Sequence, residues 1–576
     1  NRGEIAIRIA RTCNDLGIKT VGIYSEDDSK SLHLSKVDEA YKIDGKGAAA
    51  YLNIKEIIAV AKEAKVDAIH PGYGFLSENV KLASSAKRSN IKFIGPNEKA
   101  LKVFGDKTSA KALASDLSVP ITLGTSAKTS LKQAENFFKG LRKNSSILIK
   151  AISGGGGRGM RIVSNLEDLK EAFERASSEA KASFDSPDLY VEEYLKDYRH
   201  IEFQILGDGT GNVIHLHERE CSIQRRHQKL IEIAPSPSLN QDLKNKMIEA
   251  SLAFGTKVKY EGLATIEFLV NIEKGDFRFI ECNPRIQVEH TVTESITSLD
   301  LVKLQIQIAS GKTLKQLKLD QDLIKEPKGF AIQSRINMET IGEDGNANPA
   351  GGIFESFDLP SGPGVRADSY GYSGYETNPL FDSLIAKVIT YSSEDNFKQA
   401  CKRNYRSLCE FKIKGVPTNI EILKNVLINK EFLNNRVHTN FFENNLKDLL
   451  STHNHSDLSD ITRSISQKEI KRGKIEDLDP LAVLDHGKSG GVFVDQSENI
   501  LELEKRTLQE GYESIDAPMQ GMIVKFEVGV GDKIWEGKTL GIMEAMKMEH
   551  EIISSVSGTV EEINVSNLDT VFEGHS

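Results

Sequence analysis

An internal repeat near the C-terminus constrains the fold of this chain more than any other sequence feature. A shift of 37 residues, from Gly521 to Gly558, superimposes seven positions of similar chemistry: Gly521 on Gly558, Val528 on Val565, Asp532 on Asp569, Ile534 on Val571, Trp535 on Phe572, Glu536 on Glu573 and Gly537 on Gly574. A fixed internal period indicates two copies of one small structural unit. The spacing predicts two β units related by a pseudo-twofold axis, and Lys547 lies where the copies meet.

Lys547 lies at the tip of a predicted hairpin turn, because strand-like alternation precedes and follows it. Most lysines at such tips are only solvated charges. Here Met546 and Met548 flank the lysine within EAMKMEHEI, and exposed apolar side chains are unfavourable unless a partner recognises them. The sequence therefore predicts that the turn around Lys547 is a recognition site.

Both ends of the sequence lack an expected strand. The helical pattern starts almost at Asn1, where an α/β unit would first have a strand, and the second repeat copy has no equivalent of LGIME (540–544). We therefore expect further residues on both sides in the natural protein.

The overall composition is that of a globular protein with several domains. The 576 residues, with 39% apolar and 27% charged, predict about three to five compact units. The net charge of −9 and the absence of an apolar run of about 18 residues argue against nucleic-acid and membrane partners. Five scattered cysteines without CxxC spacing favour a reducing compartment, so we expect a cytoplasmic protein, with the mitochondrial matrix as an alternative.

Helical and strand patterns alternate over the first hundred residues, which predicts a doubly wound α/β unit with a parallel sheet. A Rossmann nucleotide-binding domain is an alternative, although the glycine fingerprint is missing. Farther along, SGGGGRGM (153–160) follows a strand that ends near Lys150. Four glycines allow the backbone to approach phosphate and to move as a lid, so with Lys107 and Lys150 this segment indicates an ATP site without a P-loop. A flexible linker would have a similar composition.

Two carboxylates are predicted to face each other across a hairpin. With the turn centred on residue 274, Glu267 lies opposite Glu281. At about 4 Å and an effective dielectric near 20, two like charges repel by about 4 kcal/mol. A divalent cation reverses this sign, and Asn283 on the same face adds a third oxygen. The pattern predicts a magnesium site, against the alternative of two surface carboxylates.

A second polar group follows this hairpin. RIQVEH (285–290) places Arg285, Gln287 and Glu289 at alternate positions, and QRRHQK (224–229) adds His227 and Lys229. A guanidinium and an ammonium group can hold bicarbonate, and a carboxylate can take its proton. Basic runs of this kind are more often plain surface.

Together, NRGEIAIRI, HPGYGFLSEN, RRHQK, ECNPRIQVEH and SRIN resemble biotin carboxylase of the ATP-grasp superfamily, while APMQG and EAMKMEHEI resemble biotin carboxyl carrier domains. The resemblance implies an α/β and α+β fold: an ATP-grasp biotin carboxylase followed by a small all-β biotinyl (hammerhead) domain. The implied domains are residues 1–105, the N-terminal α/β unit; 106–320, the ATP-grasp part with a lid at about 125–195; 321–440, the C-terminal part; 441–511, a linker; and 512–576, the biotinyl domain.

The resemblance also implies the chemistry. Bicarbonate attacks the γ-phosphate of ATP to give carboxyphosphate, which yields CO₂ for biotin attached to Lys547. A lipoyl-type carrier is the alternative for that lysine. The implied roles are as follows: Lys107, Lys150, Gly156, Gly157, Glu192, Glu193, Tyr194, Leu195, His200 and His227 for ATP; Glu267, Glu281 and Asn283 for two Mg²⁺ or Mn²⁺ ions; Lys229, Arg285, Gln287 and the Val288 backbone for bicarbonate; Glu289 as base; and Arg335 for the biotin enolate.

A carboxyltransferase, as a further domain or a separate subunit, must pass the carboxyl group to an acceptor. The gap before residue 512 is too short for the extra domain of propionyl- and methylcrotonyl-type subunits, and the order of parts excludes pyruvate carboxylase. We therefore predict a single-chain acyl-CoA carboxylase of the long-chain type, with a compact α subunit as the alternative.

The expected partners are acyl-CoA, biotin protein ligase and further copies of the chain. A non-catalytic biotinyl carrier or scaffold is the alternative from another class, and a carbamoyl-phosphate synthetase is disfavoured because it needs no carrier lysine.

Overall fold

The computed structural model describes residues 1–125, 128–142, 145–152, 160–184, 186–451, 512–545, 548–567, 569–571 and 574. These residues fall into two compact units, of which the first comprises the chain up to residue 451 and the second holds the C-terminal repeat. None of the helices in these ranges is both long and apolar enough to cross a membrane.

The first hundred residues alternate helix and strand as predicted. The elements are α1 (Gly3–Asp15), β1 (Val21–Tyr24), β2 (Glu39–Lys42), α2 (Gly47–Ala50), α3 (Ile54–Glu63), β3 (Ala68–Ile69), α4 (Val80–Arg88), β4 (Lys92–Phe93) and α5 (Glu98–Gly105). Strand β1 pairs with β2, and β3 pairs with β4, both in parallel. A cavity of about 650 Å³ is lined by residues of both β1 and β3 and by Asn1. The parallel pairing agrees with the predicted α/β unit, whereas β2 was not predicted.

A small three-stranded sheet forms the predicted lid region. The elements here are α6 (Lys107–Asp116), α7 (Leu131–Gly140), β5 (Ser146–Ala151), β6 (Arg161–Val163), α8 (Leu169–Phe184) and β7 (Leu189–Tyr194). Strand β5 lies between β6 and β7 and is antiparallel to both. The glycine-rich segment connects β5 to β6, and Gly156 and Gly157 lie outside the described residues.

One eight-stranded antiparallel sheet forms the centre of the first unit. Its residues come from β8 (Arg199–Asp208), β9 (Val213–Arg225), β10 (Gln228–Ala234), β11 (Glu261–Asn271), β12 (Asp276–Asn283), β13 (Phe330–Asn337), β17 (Val365–Ser369) and β18 (Leu384–Ser392), in the order β12-β11-β8-β9-β10-β13-β18-β17. Because β10 pairs with β13, the sheet runs through both segments that were predicted as separate domains, 106–320 and 321–440. Residues on this sheet can therefore share one site.

Helices and short strands cover this sheet. They are α9 (Gln241–Val258), α10 (His290–Thr297), α11 (Leu301–Ala309), β14 (Glu339–Ile341), β15 (Ala347–Pro349), β16 (Ser356–Asp358), α12 (Phe397–Glu410), β19 (Lys412–Lys414), α13 (Ile420–Ile428), α14 (Lys430–Leu433), α15 (Phe441–Asn444) and α16 (Leu446–Leu449). Phe441 and Phe442 are each 1% exposed and belong to the largest hydrophobic core. The predicted linker, 441–511, therefore begins with packed helices, and its residues from 452 onward lie outside the described ones.

The second unit confirms the repeat. It contains β20 (Gly521–Phe526), β21 (Lys533–Ile534), β22 (Thr539–Ala545), β23 (Met548–Ile553), β24 (Gly558–Thr559) and β25 (Thr570–Val571). Gly521 pairs with Val571, and the equivalent residues Gly558 and Ile534 pair with each other. Each copy thus pairs its first strand with the second strand of the other copy, as a pseudo-twofold axis requires. The turn residue Lys547 lies outside the described residues.

Candidate active site

The predicted pairing of two carboxylates across a hairpin is confirmed. Glu267 on β11 lies directly opposite Glu281 on β12. The next pair toward the turn is Phe268 with Phe279, so Ile280 is an extra residue and forms a β-bulge. The sequence did not predict this bulge. As a result of it, the consecutive residues Ile280 and Glu281 both line the same cleft.

The two carboxylates differ in their surroundings. Glu267 is 5% exposed and accepts hydrogen bonds from the side-chain nitrogens of Lys229 at 3.1 Å, Asn283 at 2.8 Å and Gln287 at 2.9 Å. Burial would raise the pKa of Glu267, but Lys229 and His200, whose Nε2 lies 2.9 Å from the carboxylate, outweigh it and lower the pKa. Glu267 is therefore held as a fixed anion.

Glu281 is the open member of the pair. Its side chain is 36% exposed, and its nearest cationic neighbour, Lys107 Nζ, lies 4.0 Å away. The Asn283 side chain bridges the pair, with its Nδ2 3.5 Å from a Glu281 oxygen. Two carboxylates suit Mg²⁺, and the Asn283 amide oxygen, which here accepts from Arg285 Nη2, can join them if the amide turns over.

A different buried group, His200, Glu202 and Glu267, also brings three possible metal ligands within 4.8 Å of one another. Glu202 is fully buried and already paired with both Arg219 and Lys229. A cation at that group would have to displace two positive side chains. The Glu281 side of the hairpin is therefore the better place for a metal ion.

Lys229 is the centre of a chain of buried ion pairs. It is the second residue of β10, which follows a tight turn in which Arg226 and His227 both have positive φ. Lys229 Nζ donates to Glu202 at 2.6 Å, to Glu267 at 3.1 Å and to Glu289 at 2.7 Å. Burial would lower the pKa of Lys229, but these three carboxylates outweigh it and raise the pKa well above its usual value. This ammonium group stays charged.

Glu289 links Lys229 to Arg335. It is 2% exposed, and its second oxygen lies 3.0 Å from Arg335 Nη2, which also pairs with the buried Glu232. Burial would raise the pKa of Glu289, but Lys229 and Arg335 outweigh it and lower the pKa well below its usual value. Glu289 is therefore ionised at neutral pH and can accept a proton.

The segment between β12 and α10 brings the remaining predicted anion-binding groups to the same place. Arg285 Nε donates to Glu78 at 2.6 Å, and Arg285 Nη2 donates to Asn283 Oδ1 at 2.9 Å. Gln287 bonds to Glu267, while the backbone carbonyl of Val288 accepts a hydrogen bond from Lys387 at 3.0 Å. The segment directly before Glu289 is thus fixed by hydrogen bonds at Arg285, Gln287 and Val288.

The predicted nucleotide-binding residues line the lid side of the cleft. Lys150 on β5 donates to Glu192 on β7 at 2.6 Å. Glu193 donates its backbone N–H to Leu123, and the hydroxyl of Tyr194 accepts from Asn440 at 2.6 Å. Leu195 follows directly at the end of β7.

Two histidines lie between the lid side and the carboxylates. Gln224 bonds to Nδ1 of His200 at 2.6 Å. Burial, with Lys150 and His200 nearby, lowers the pKa of His227 to about 4, so this imidazole is neutral at physiological pH. A neutral ring can donate or accept a hydrogen bond without adding charge.

A single cleft of about 500 Å³ collects every predicted site residue of the first unit that the structure describes. These residues are Lys107, Lys150, Glu192, Glu193, Tyr194, Leu195, His200, His227, Lys229, Glu267, Glu281, Asn283, Arg285, Gln287, Val288, Glu289 and Arg335. Gly156, Gly157 and Lys547 lie outside the described residues.

Sequence reasoning missed several buried charges around this cleft. Arg219 is fully buried and donates to Glu202, Gln204, Thr265, Gln287 and Thr293. Glu202 and Gln204 are polar residues within the apolar strand HIEFQILGD, and this interruption could have indicated buried polar contacts. Lys111 also lines the cleft, but a lysine on a helix gives no sign of its role in sequence.

Family models match most of the chain. The descriptions are "Biotin carboxylase, N-terminal domain" for residues 1–101, "Carbamoyl-phosphate synthase L chain, ATP binding domain" for 106–317, "Biotin carboxylase C-terminal domain" for 333–444 and "Biotin-requiring enzyme" for 513–576. The first three share the unit that carries the cleft.

Similar proteins agree with these matches. Human mitochondrial pyruvate carboxylase is 46% identical over 450 residues, which are 77% of this chain but only 37% of that protein. A single-chain, multi-domain long-chain acyl-CoA carboxylase is 33% identical with a TM-score of 0.69, over 100% of this chain and 49% of that one. The chain thus spans only part of these two larger proteins.

One isolated biotin carboxylase domain is matched over nearly its whole length. The biotin carboxylase domain of the Hydrogenobacter thermophilus 2-oxoglutarate carboxylase, solved with MgADP, ADP and bicarbonate, has a TM-score of 0.74 and 40% identity. The match covers 79% of this chain and 98% of that domain. Because so much of the domain is matched at this identity, the chain belongs to the biotin carboxylase family.

Proposed function

We propose that this chain uses ATP and bicarbonate to carboxylate biotin attached to Lys547. The observation that carries the proposal is the meeting, in one cleft, of the opposed Glu267–Glu281 pair with the ion-pair chain Lys229–Glu289–Arg335. The first provides ligands for a hard cation, and the second provides cations beside an ionised base. A carboxylate pair and a base are the parts that phosphoryl transfer to bicarbonate needs.

The cofactors are biotin, ATP and Mg²⁺, and the cleft fits the metal. Glu267, Glu281 and Asn283 would hold two Mg²⁺ ions, and the same oxygen donors also suit Mn²⁺. A bound ion supplies charge neutralisation for the phosphates of ATP. Glu281 is the residue best placed to respond to the ion, because it is exposed to the cleft and only weakly paired.

The nucleotide is assigned to the lid side of the cleft. Lys107 and Lys150 provide cations for the phosphates, and Gly156 and Gly157, which lie outside the described residues, are assigned to ATP as well. Glu192, Glu193, Tyr194 and Leu195 lie on or directly after β7, where backbone groups can meet the adenine. His200 and His227 complete this side, and the neutral His227 ring adds a hydrogen bond without repelling Lys150.

Bicarbonate is assigned to Lys229, Arg285, Gln287 and the backbone of Val288. An ammonium, a guanidinium and an amide give charge-assisted hydrogen bonds to a small planar anion. Glu289 accepts the bicarbonate proton, and a bicarbonate oxygen attacks the γ-phosphorus as ADP leaves. Once protonated, Glu289 no longer neutralises Lys229 and Arg335. Lys229 can then bind the carboxylate group of the carboxyphosphate that has formed.

Arg335 is assigned to the biotin side of the site. In the described structure it is shared between Glu232 and Glu289. When Glu289 becomes neutral, the guanidinium loses one of its two anionic partners. It would then be free to donate to the ureido oxygen of biotin, whose ring nitrogen would lose its proton to the phosphate released from carboxyphosphate.

The acceptor of the carboxyl group is proposed to be an acyl-CoA, used by a carboxyltransferase on a longer form of the same chain. The long-chain acyl-CoA carboxylase supports this choice because it aligns with all of this chain, including the C-terminal unit. A compact α subunit with a separate transferase is the second form of this proposal.

A 2-oxo acid is the alternative acceptor. The match to human pyruvate carboxylase favours it, but that match covers 77% of this chain. Expression of the complete reading frame, with acyl-CoA and pyruvate offered in parallel, separates the two. We expect acyl-CoA-dependent and pyruvate-independent turnover.

The cysteines and the carrier lysine bear on the cellular setting. The five cysteines, all within the described residues, are free thiols, which agrees with a cytoplasmic or other reducing compartment. A biotin protein ligase would load Lys547, and we expect the chain to form a homo-oligomer.

The direct test is an ATPase assay with the purified chain, bicarbonate and free biotin. We expect ADP release to require bicarbonate and to rise with free biotin, and mass spectrometry to find biotin on Lys547. Biotin on Lys547 without any bicarbonate-dependent ATP cleavage would instead support the non-catalytic carrier.

A further inference from the structure

A buried carboxylate on the lid side holds two lysines at once. Glu192 on β7 has a 5% exposed side chain. One of its oxygens pairs with Lys111 and the other lies 2.6 Å from Lys150. Two lysines therefore share one carboxylate, where one cation is enough for neutrality. Burial, with Lys107 and Lys111 nearby, lowers the pKa of Lys150 to about 7.

Lys150 has a competing role. In the proposed function its ammonium group binds the phosphates of ATP, so it must leave Glu192 when the nucleotide arrives. A buried carboxylate that loses its only partner is strongly destabilised. Without a second cation, the free-energy cost of leaving Glu192 buried and unpaired would reduce the binding free energy of ATP.

Lys111 is fixed where that second cation is needed. It lies one helical turn after Lys107 on α6, so both face the cleft. Its Nζ also donates to Thr122 Oγ1 at 3.3 Å and lies 5.6 Å from the centre of the Tyr190 ring. These contacts hold Lys111 beside Glu192 independently of Lys150.

We propose that Lys111 is a positioning residue for nucleotide binding: it neutralises Glu192 so that Lys150 can transfer to the phosphates. The inference rests on the proposed function, because it needs ATP in this cleft. Burial and the nearby Lys107 lower the pKa of Lys111 to about 8, so most molecules carry this charge at neutral pH.

A double-mutant cycle tests the proposal, with the dissociation constant of MgATP measured by calorimetry. In the wild-type background, Lys111→Met should weaken MgATP binding by about ten- to a hundredfold. The Michaelis constant for bicarbonate should change by less than about threefold. Lys111→Arg should restore most of the affinity, because it keeps the charge. Lys102→Met, at an exposed lysine on the neighbouring helix, is the matched control.

The second half of the cycle separates this role from a direct contact with phosphate. In the Glu192→Gln background there is no buried anion to neutralise, so Lys111→Met should change MgATP affinity by less than about threefold. An equal loss in both backgrounds, or no loss in either, overturns the proposal. If Lys111→Met does not fold, Lys111→Gln in both backgrounds gives the same comparison. Failure of the wild-type chain to bind MgATP would refute the proposed function itself.

Discussion

Replacement of the proposed base gives the most direct test of the active site. Glu289→Gln keeps the size of a side chain that is 2% exposed but removes its ability to take a proton. General-base catalysis contributes about 10²- to 10⁴-fold, so bicarbonate-dependent ATP cleavage should fall by that factor, or about 2.7–5.5 kcal/mol of transition-state stabilisation.

The structure also predicts that the fold tolerates this change. Lys229 keeps Glu202 and Glu267 as partners, and Arg335 keeps Glu232. Loss of Glu289 therefore leaves neither cation unpaired, unlike the usual break of a buried ion pair. We expect the melting temperature to shift by only a few degrees.

A coupled assay of ADP release, with and without bicarbonate, measures the effect. The Michaelis constant for ATP should stay within about threefold of the wild-type value, since Glu289 lies on the bicarbonate side. Glu273→Gln, an exposed turn residue, provides the control for a simple loss of charge. Turnover within threefold of wild type would falsify the assignment of Glu289 as base, and a parallel loss of ATP affinity would show a structural role instead.

Three further predictions follow from the same residues. Glu281→Gln should leave the metal-free protein as stable as wild type, or more stable by less than about 1 kcal/mol, because it removes a screened like-charge repulsion. It should abolish the thermal stabilisation by MgATP, which differential scanning fluorimetry with and without EDTA would detect. Cationic neighbours outweigh burial and lower the pKa of both Glu267 and Glu289 below 4.5, the value in the unfolded chain. These carboxylates therefore stabilise the fold at pH values above 4.5. Urea titrations should show that this contribution is lost as the pH falls below 4.5, with a shallower loss in Glu289→Gln. Lys547→Arg should prevent attachment of biotin, seen as loss of streptavidin binding, while ATP cleavage with free biotin persists.

The sequence was most informative where local geometry decides the outcome. A turn centred on residue 274 predicts the pairing of Glu267 with Glu281. The pairs nearer the turn, such as Asn271 with Asp276, are instead centred between 273 and 274, so the carboxylates meet only because the bulge at Ile280 shifts the register by one residue. The pseudo-twofold relation of the two β units follows from the repeat, and the pairings of Gly521 with Val571 and of Ile534 with Gly558 agree with it. Strand alternation, turn formation and repeat spacing support such predictions, but they do not reveal a bulge.

The sequence was least informative where distant segments meet. The partners of Arg219 come from β8, β11 and the segment around α10, and Lys111 meets Glu192 across 81 positions of chain. No local pattern shows that these charges are buried. The helices at 441–449 were missed for another reason, because their many asparagines are typical of turns, whereas Phe441 and Phe442 are buried by packing on the core.

The bulge at Ile280 changes how densely one strand can present side chains to a ligand. In a regular strand, side chains on one face are about 6.6–6.8 Å apart, since they alternate and each residue advances about 3.3–3.4 Å. Here Ile280 and Glu281 follow each other and both reach the cleft. An apolar contact and a charged ligand can therefore be supplied from adjacent positions, so a single-residue deletion at 280 would remove the apolar contact while leaving Glu281 opposite Glu267.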